Sequence, residues 1–106
     1  MNLDSIELHD ALIKKLEVDF VGQKVNIECD YYESQNDSKR KTILITFNQV
    51  ENIASILNIK EIFNSSWAGH IAYWSPMELH GTTYINFVSG CLSVLAKSID
   101  IHYPSQ

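Results

Sequence analysis

The chain has 106 residues, of which 45% are hydrophobic and 20% charged, and its formal net charge is −5. This composition is typical of globular proteins and excludes a wholly disordered chain. The length predicts one domain, residues 1–106, that buries a core without a disulfide or a structural metal. Thirteen acidic against eight basic side chains disfavour nucleic-acid binding, which depends on Lys and Arg.

The N-terminus, Met1–Asp4, has no basic segment followed by an apolar stretch, so we expect no signal peptide. No apolar run is long enough to cross a membrane, and no membrane association is expected. The sequence therefore predicts a cytoplasmic protein with reduced thiols. Cys29 and Cys91 each lie among apolar, strand-like neighbours, and both are predicted to be buried.

The first predicted element is a β-hairpin. Apolar and charged residues alternate towards the end of the segment Leu12–Phe20, and Gly22 with Gln23 supplies a turn. The segment Lys24–Tyr32 repeats the alternation, with one apolar face that comprises Val25, Ile27, Cys29 and Tyr31. The polar stretch Glu33–Arg40 predicts an exposed loop, and Lys41–Phe47 predicts a third strand.

A change of period marks the middle of the chain. Between Val50 and Phe63, apolar residues recur at spacings of three and four, which predicts a helical region near residues 50–64 with a possible break at Asn58.

The C-terminal third returns to a strand pattern. Strands are predicted at Gly69–Trp74 and Thr82–Val88, and a third runs from Cys91 through Ala96 towards Tyr103. A tight turn at Ser89-Gly90 joins the last two strands. The sum is a mostly β, α+β fold of about six antiparallel strands with one helical region, either as a curved sheet or as a small sandwich.

The segment from Trp67 to Trp74 has the most unusual composition. It contains both tryptophans of the chain together with His70 and Tyr73. Aromatic side chains with a polar tip are favoured at binding surfaces, but they also serve as core residues, and both interpretations stay open here. The candidate binding residues are Trp67, His70, Tyr73, Trp74 and His80.

No catalytic or metal-binding motif is present in the sequence. The four histidines are His9, His70, His80 and His102, and they have no metal-ligand spacing to one another or to cysteine. The glycines stand alone, and no activated nucleophile is indicated. We therefore expect no metal, no cofactor and no catalytic residue, with a cleft formed by His70, Trp74 and His80 as the alternative.

The opening segment Ile6–Ile13, with its Leu-His-Asp-Ala string, resembles a family of small bacterial domains of unknown function. The strings Ala68–Trp74, Gly81–Ile85 and Gly90–Leu92 are similar to the same group, and the resemblance spans nearly the whole chain. Some similar small acidic proteins are immunity partners of bacterial toxins, so the resemblance implies an interaction role and transfers no catalytic residue. The residues themselves give Leu8 a place in the core and Asp10 a place in a turn.

Together these observations predict a non-catalytic interaction protein whose acidic surface meets a basic or enzymatic protein partner. The alternative is a small-ligand-binding domain or an enzyme that uses the His70, Trp74 and His80 cleft. The sequence leaves the oligomeric state open.

Overall fold

The computed structural model describes residues 3–33 and 39–104, and it consists mainly of two four-stranded antiparallel sheets. In the first sheet the strand order is β1 (Leu12–Asp19), β2 (Lys24–Tyr31), β3 (Lys41–Asn48) and β8 (Ser98–His102). In the second sheet the order is β4 (Asn52–Leu57), β7 (Gly90–Ala96), β6 (Gly81–Phe87) and β5 (Ile71–Ser75). Helix α1 (Ile59–Asn64) and a 3-10 turn (Ser66–Gly69) connect β4 to β5, and another 3-10 turn spans Leu3–Ser5.

The mostly β, antiparallel fold class is confirmed, but the described part of the chain has eight strands rather than about six. One hydrophobic cluster is built from the inner faces of both sheets. It includes Val25, Ile27, Ile45 and Phe47 of the first sheet and Ile71, Ile85, Leu92 and Val94 of the second. Of the two predicted architectures, the sandwich is the one that forms.

The β1–β2 hairpin follows the predicted alternation. Val25, Ile27 and Cys29 are fully buried, because every second residue of β2 points to the other sheet. Phe20 was predicted to belong to the strand, yet it lies in the turn and is 85% exposed. Of the predicted loop 33–40, residues 34–38 lie outside the described residues.

The predicted helical region is wrong over its first half, because residues 52–57 form strand β4. Ile53 and Leu57 point towards the core opposite Val94 and Gly90, whereas Ile56 lies on the outer face opposite Cys91. Ile53 and Leu57 are four residues apart, a spacing that places both on one face of either a helix or a strand, whereas Ile56, three residues after Ile53, fits only the helical period. Because residues 52–57 pair with β7, they form a strand. Within the predicted helical region only Ile59–Asn64 is helical, and the Asn58 side chain caps this helix by accepting a hydrogen bond from the Glu61 amide.

The predicted last strand is two strands in two sheets. β7 ends at Ala96, the amide of Lys97 donates to the Asn48 carbonyl, and β8 then pairs with β3. The preceding turn is Val88-Ser89 rather than Ser89-Gly90, because Gly90 already pairs with Phe87. This register turns Leu92 and Val94 inwards and leaves Cys91 half-buried on the outer face, so the prediction of a buried Cys91 is wrong.

Residues 8–12 join the two sheets. Leu8 is fully buried, as predicted, and Asp10 lies in a turn with a φ of 68°. The Asp10 amide donates to the Ile71 carbonyl, and the Ile71 amide donates to the Ala11 carbonyl. The Leu-His-Asp-Ala string therefore closes one edge of the second sheet.

Candidate functional site

The predicted site residues lie in three different environments. Trp67 is 60% exposed on the 3-10 turn, and its ring centroid is 5.0 Å from that of His70. Tyr73 is also 60% exposed, on the outer face of β5. Trp74 points the opposite way, is half-buried against the core and donates from its indole nitrogen to the Ile6 carbonyl at 2.9 Å. The structure thus brings Trp67 and His70 together but makes Trp74 part of the scaffold.

The cleft of His70, Trp74 and His80 does not form. The amide of Val88, just after β6, donates to the His70 carbonyl, whereas His80 lies just before β6 begins at Gly81. A seven-residue strand spans roughly 20 Å, so the two histidines lie at opposite ends of the sheet. The geometry gives the small-ligand or enzyme alternative no shared cavity at these three residues.

His70 has a structural partner in Arg40. The Arg40 Nη2 atom is 3.0 Å from His70 Nε2 and 3.3 Å from the Asp10 carbonyl oxygen. The guanidinium also lies over the Tyr32 ring, 4.7 Å from its centroid. Because a guanidinium only donates, Nε2 of His70 accepts in this contact. His70 therefore helps to hold the start of β5 to the chain that leads into β3.

His9 and His80 are both exposed and both lie beside an acidic residue. His80 Nε2 is 2.5 Å from Glu51 Oε2, which links the chain before β4 to the chain before β6. His9 Nδ1 is 2.9 Å from the Ala72 carbonyl oxygen, and this bond, with Asp10 nearby, raises the pKa of His9 above its usual value of 6.5. Within the described ranges, no group of three or more His, Cys, Asp or Glu side chains is placed to hold a metal ion.

The second sheet differs sharply from the first in charge. The strands of the first sheet carry nine charged residues: Lys14, Lys15, Glu17, Asp19, Lys24, Glu28, Asp30, Lys41 and Asp100. Strands β4, β5, β6 and β7 contain no Asp, Glu, Lys or Arg at all. For a chain in which one residue in five is charged, this segregation marks the second sheet as the part of the surface to consider for binding.

The strand register arranges the outer face of the second sheet in rows. One row runs Ile56, Cys91, Asn86 and Tyr73, and the next runs Ala54, Ser93, Tyr84 and Ser75. A third row begins with Asn52, Leu95 and Thr82. We call these eleven residues the uncharged face.

Large side chains on the uncharged face are open to solvent. Ile56 is 74% exposed and Tyr84 is 54% exposed. Around them are hydroxyl and amide groups, which can donate and accept hydrogen bonds without the cost of desolvating an ion. The face can therefore bury apolar and aromatic surface against another molecule and still satisfy polar groups.

Of the residues of this face, only Tyr73 was predicted from the sequence as a binding residue. Ile56 was missed because it was assigned to a helix, and Tyr84 was missed because no exposed face was assigned to the predicted strand Thr82–Val88. The sequence does contain a signal for an uncharged surface, because Glu78 is the only charged residue between Ile62 and Ala96.

Fold and surface together define a small antiparallel β-sandwich with one charged and one uncharged outer sheet face. Comparison of the chain with protein-family models, curated proteins and solved structures finds no match. In the described part of the chain, no helix has the length and apolar character needed to cross a membrane.

The two cysteines should react at very different rates. Burial, followed by the charges of Asp30 and Glu28, raises the pKa of Cys29 to about 12, so its reactive thiolate is scarce. Cys91 is half-buried on the uncharged face. We expect a thiol reagent to modify one cysteine in the native protein and both after denaturation, as counted by mass spectrometry. The variant Cys91→Ser should then show no native labelling, and rapid modification of its Cys29 would contradict the buried position.

Proposed function

We propose that this protein is a non-catalytic protein-binding domain whose partner docks on the uncharged face of the second sheet. The observation that carries the proposal is the absence of charge from all four strands of that sheet, combined with exposed Tyr73, Tyr84 and Ile56. The cores of protein interfaces are depleted of charged residues and enriched in tyrosine. A sheet face that contacts only water needs neither a lack of charge nor exposed tyrosine, and the first sheet accordingly carries charged residues in its strands.

The net charge of the protein favours a partner of opposite charge. With a charge of −5, the molecule repels acidic proteins and attracts basic ones at long range. Acidic groups near the uncharged face, such as Glu51 and Glu78, lie outside its strands and can steer a partner without being buried. A basic protein or enzyme, including a toxin neutralised by an immunity-type partner, fits these properties.

The proposal includes the bacterial cytoplasm as the place of action. Its support is the state of the cysteines: Cys29 and Cys91 are both free thiols. Free thiols persist in reducing compartments and are unusual in small exported domains, which tend to use their cysteines in disulfides.

The test compares two exposed aromatic side chains. Tyr84→Ala removes a ring from the centre of the uncharged face, and Phe20→Ala removes an even more exposed ring from the β1–β2 turn, which belongs to the first sheet and borders only the Asn52 end of that face. After the partner has been captured from cell lysate and identified, its affinity is measured by calorimetry for each variant. We expect Tyr84→Ala to weaken binding about 30-fold, the scale of an interface hot spot, and Phe20→Ala to leave it nearly unchanged.

The reverse result would place the binding surface at the β1–β2 turn and contradict the proposal. Unchanged binding by both variants would also contradict it. Thermal melting of both variants should resemble that of the parent protein, because neither side chain is buried.

A further inference from the structure

The four edge strands of the sandwich are not equally protected against pairing with another chain. Proteins commonly guard an edge with lysine or another charge, a β-bulge, a short strand or a covering segment. Edge strand β1 has Lys14 and Lys15 at a bulge between Ile13 and Lys15. Edge strand β8 has five residues and carries the exposed Asp100 at its centre. Both edges of the first sheet are therefore protected against pairing with another strand.

In the second sheet only one edge is protected. Strand β5 has a bulge between Ile71 and Tyr73, and residues 9–11 cover its beginning by bonding to the backbone of Ile71 and Ala72. Strand β4 pairs with β7 in an unbroken register over six residues, and it has no charge, no proline and no bulge. Among the described strands, none pairs with its other side. The six residues Asn52–Leu57 thus form an open, regular strand edge.

We propose that β4 pairs antiparallel with β4 of a second copy of this chain, which joins the two second sheets into one eight-stranded sheet. A two-fold axis beside Ala54 places Ala54 opposite its own copy and Asn52 opposite Ile56 of the second copy. Cross-strand partners in this register share a face, so the uncharged faces of the two copies lie side by side. Because the two-fold contact uses the β4 edge of both copies, the pairing closes at two copies.

Charge supports a second copy as the occupant of this edge. Two molecules that each carry −5 repel one another wherever their acidic groups meet. Since β4 and its neighbour β7 contain no charged residue, two copies approach along this edge without juxtaposing like charges. A basic partner is attracted by the acidic groups outside these strands, such as Glu51, and not by β4 itself.

The area of the uncharged face gives a second argument, which rests on the proposed function. Four strands about 4.8 Å apart and about 20 Å long present a face of about 400 Å². A standard interface buries about 800 Å² on each partner, about twice that value. Two faces joined through β4 reach the standard size, so dimerisation completes the surface to which a partner docks.

Sedimentation velocity of the purified protein tests the pairing without any partner. We expect the mass to rise from 12.1 kDa towards twice that value as concentration increases, with half-dimerisation at about 100 µM because a single strand pair is a small interface. Ala54→Lys puts a charge at the two-fold axis and should weaken the dimer at least about tenfold. Ala54 is exposed, so this variant should keep the parent melting temperature.

Ser93→Lys is the matched control. Ser93 is the β7 partner of Ala54 and lies on the same outer face, one strand away from the edge. The pairing of β4 with β4 predicts an unchanged dimer for Ser93→Lys, whereas a dimer formed by stacking of the two uncharged faces would be lost in both variants. Equal loss in both variants, or a monomer at all concentrations up to about 1 mM, would overturn the proposal.

The two proposals fail separately. A monomer whose β4 amides gain hydrogen-exchange protection only with the partner bound would mean that β4 accepts a strand of the partner instead of a second copy. If the dimer is weakened by Ala54→Lys but the Tyr84→Ala variant still binds the partner normally, the dimer proposal stands and the proposed function is contradicted.

Discussion

Replacing Trp74 with Ala should destabilise the protein by about 3 kcal/mol, a large part of the 5–15 kcal/mol typical of a domain. Trp74 is half-buried, packs against the core beside its strand partner Ile85, and donates its indole N–H to the Ile6 carbonyl. Truncation leaves a cavity and an unpaired carbonyl, and both effects reduce the free energy of unfolding. Urea denaturation with unchanged slope gives the size of the loss.

The matched control is Trp67→Ala. Trp67 is 60% exposed and contacts His70, so its removal should cost less than about 1 kcal/mol. Trp74→Phe separates the two causes, since it keeps an aromatic ring but loses the hydrogen bond; we expect a loss of about 1 kcal/mol from the missing bond. Equal stability losses at Trp67 and Trp74 would contradict the assignment of Trp74 to the scaffold and of Trp67 to the surface.

Replacing Gly90 with Ala should be about as damaging, with an expected loss of about 3 kcal/mol. Gly90 begins β7 with a φ of 139°, which side-chain-bearing residues rarely adopt. A Cβ atom at this position would also lie 2.2 Å from the Ile56 carbonyl oxygen, which belongs to the backbone of β4. The strain therefore falls on the β4–β7 pairing, and we expect faster hydrogen exchange in β4 as well as a lower urea midpoint.

Gly22→Ala is the control for Gly90. There the added Cβ would meet Asp19 Oδ2 at 2.6 Å, but this atom is the end of an exposed side chain that can rotate away. Its φ is not in the positive range, so the expected loss is below about 1 kcal/mol. If Gly90→Ala were as mild as Gly22→Ala, β4 would pair with β7 less tightly than the structure shows.

The uncharged face illustrates the limit of sequence reasoning about a site. The aromatic cluster from Trp67 to Trp74 was predicted as a possible surface, yet alternation along β5 sends Tyr73 outwards and Trp74 inwards. The face itself combines residues from four strands, and Ile56 and Tyr73 share a row only because β4 and β5 flank β7 and β6. Strand order is set by long-range pairing, which local composition does not encode.

The sequence by itself determined the mostly β class, the β1–β2 hairpin and the strands on either side of the Val88-Ser89 turn. Apolar residues alternate at period two along β2 and at the end of β1, and β6 is rich in β-branched and aromatic residues. In both pairs a short turn limits the partner to the next strand. Only the tertiary structure decided that residues 52–57 form a strand, since the apolar spacing of this segment favours a helix and the pairing with β7 overrides it. The tertiary structure also decided that the chain changes sheets at Lys97, because an extended segment satisfies its backbone hydrogen bonds on whichever open edge it reaches, and β3 offers that edge to β8.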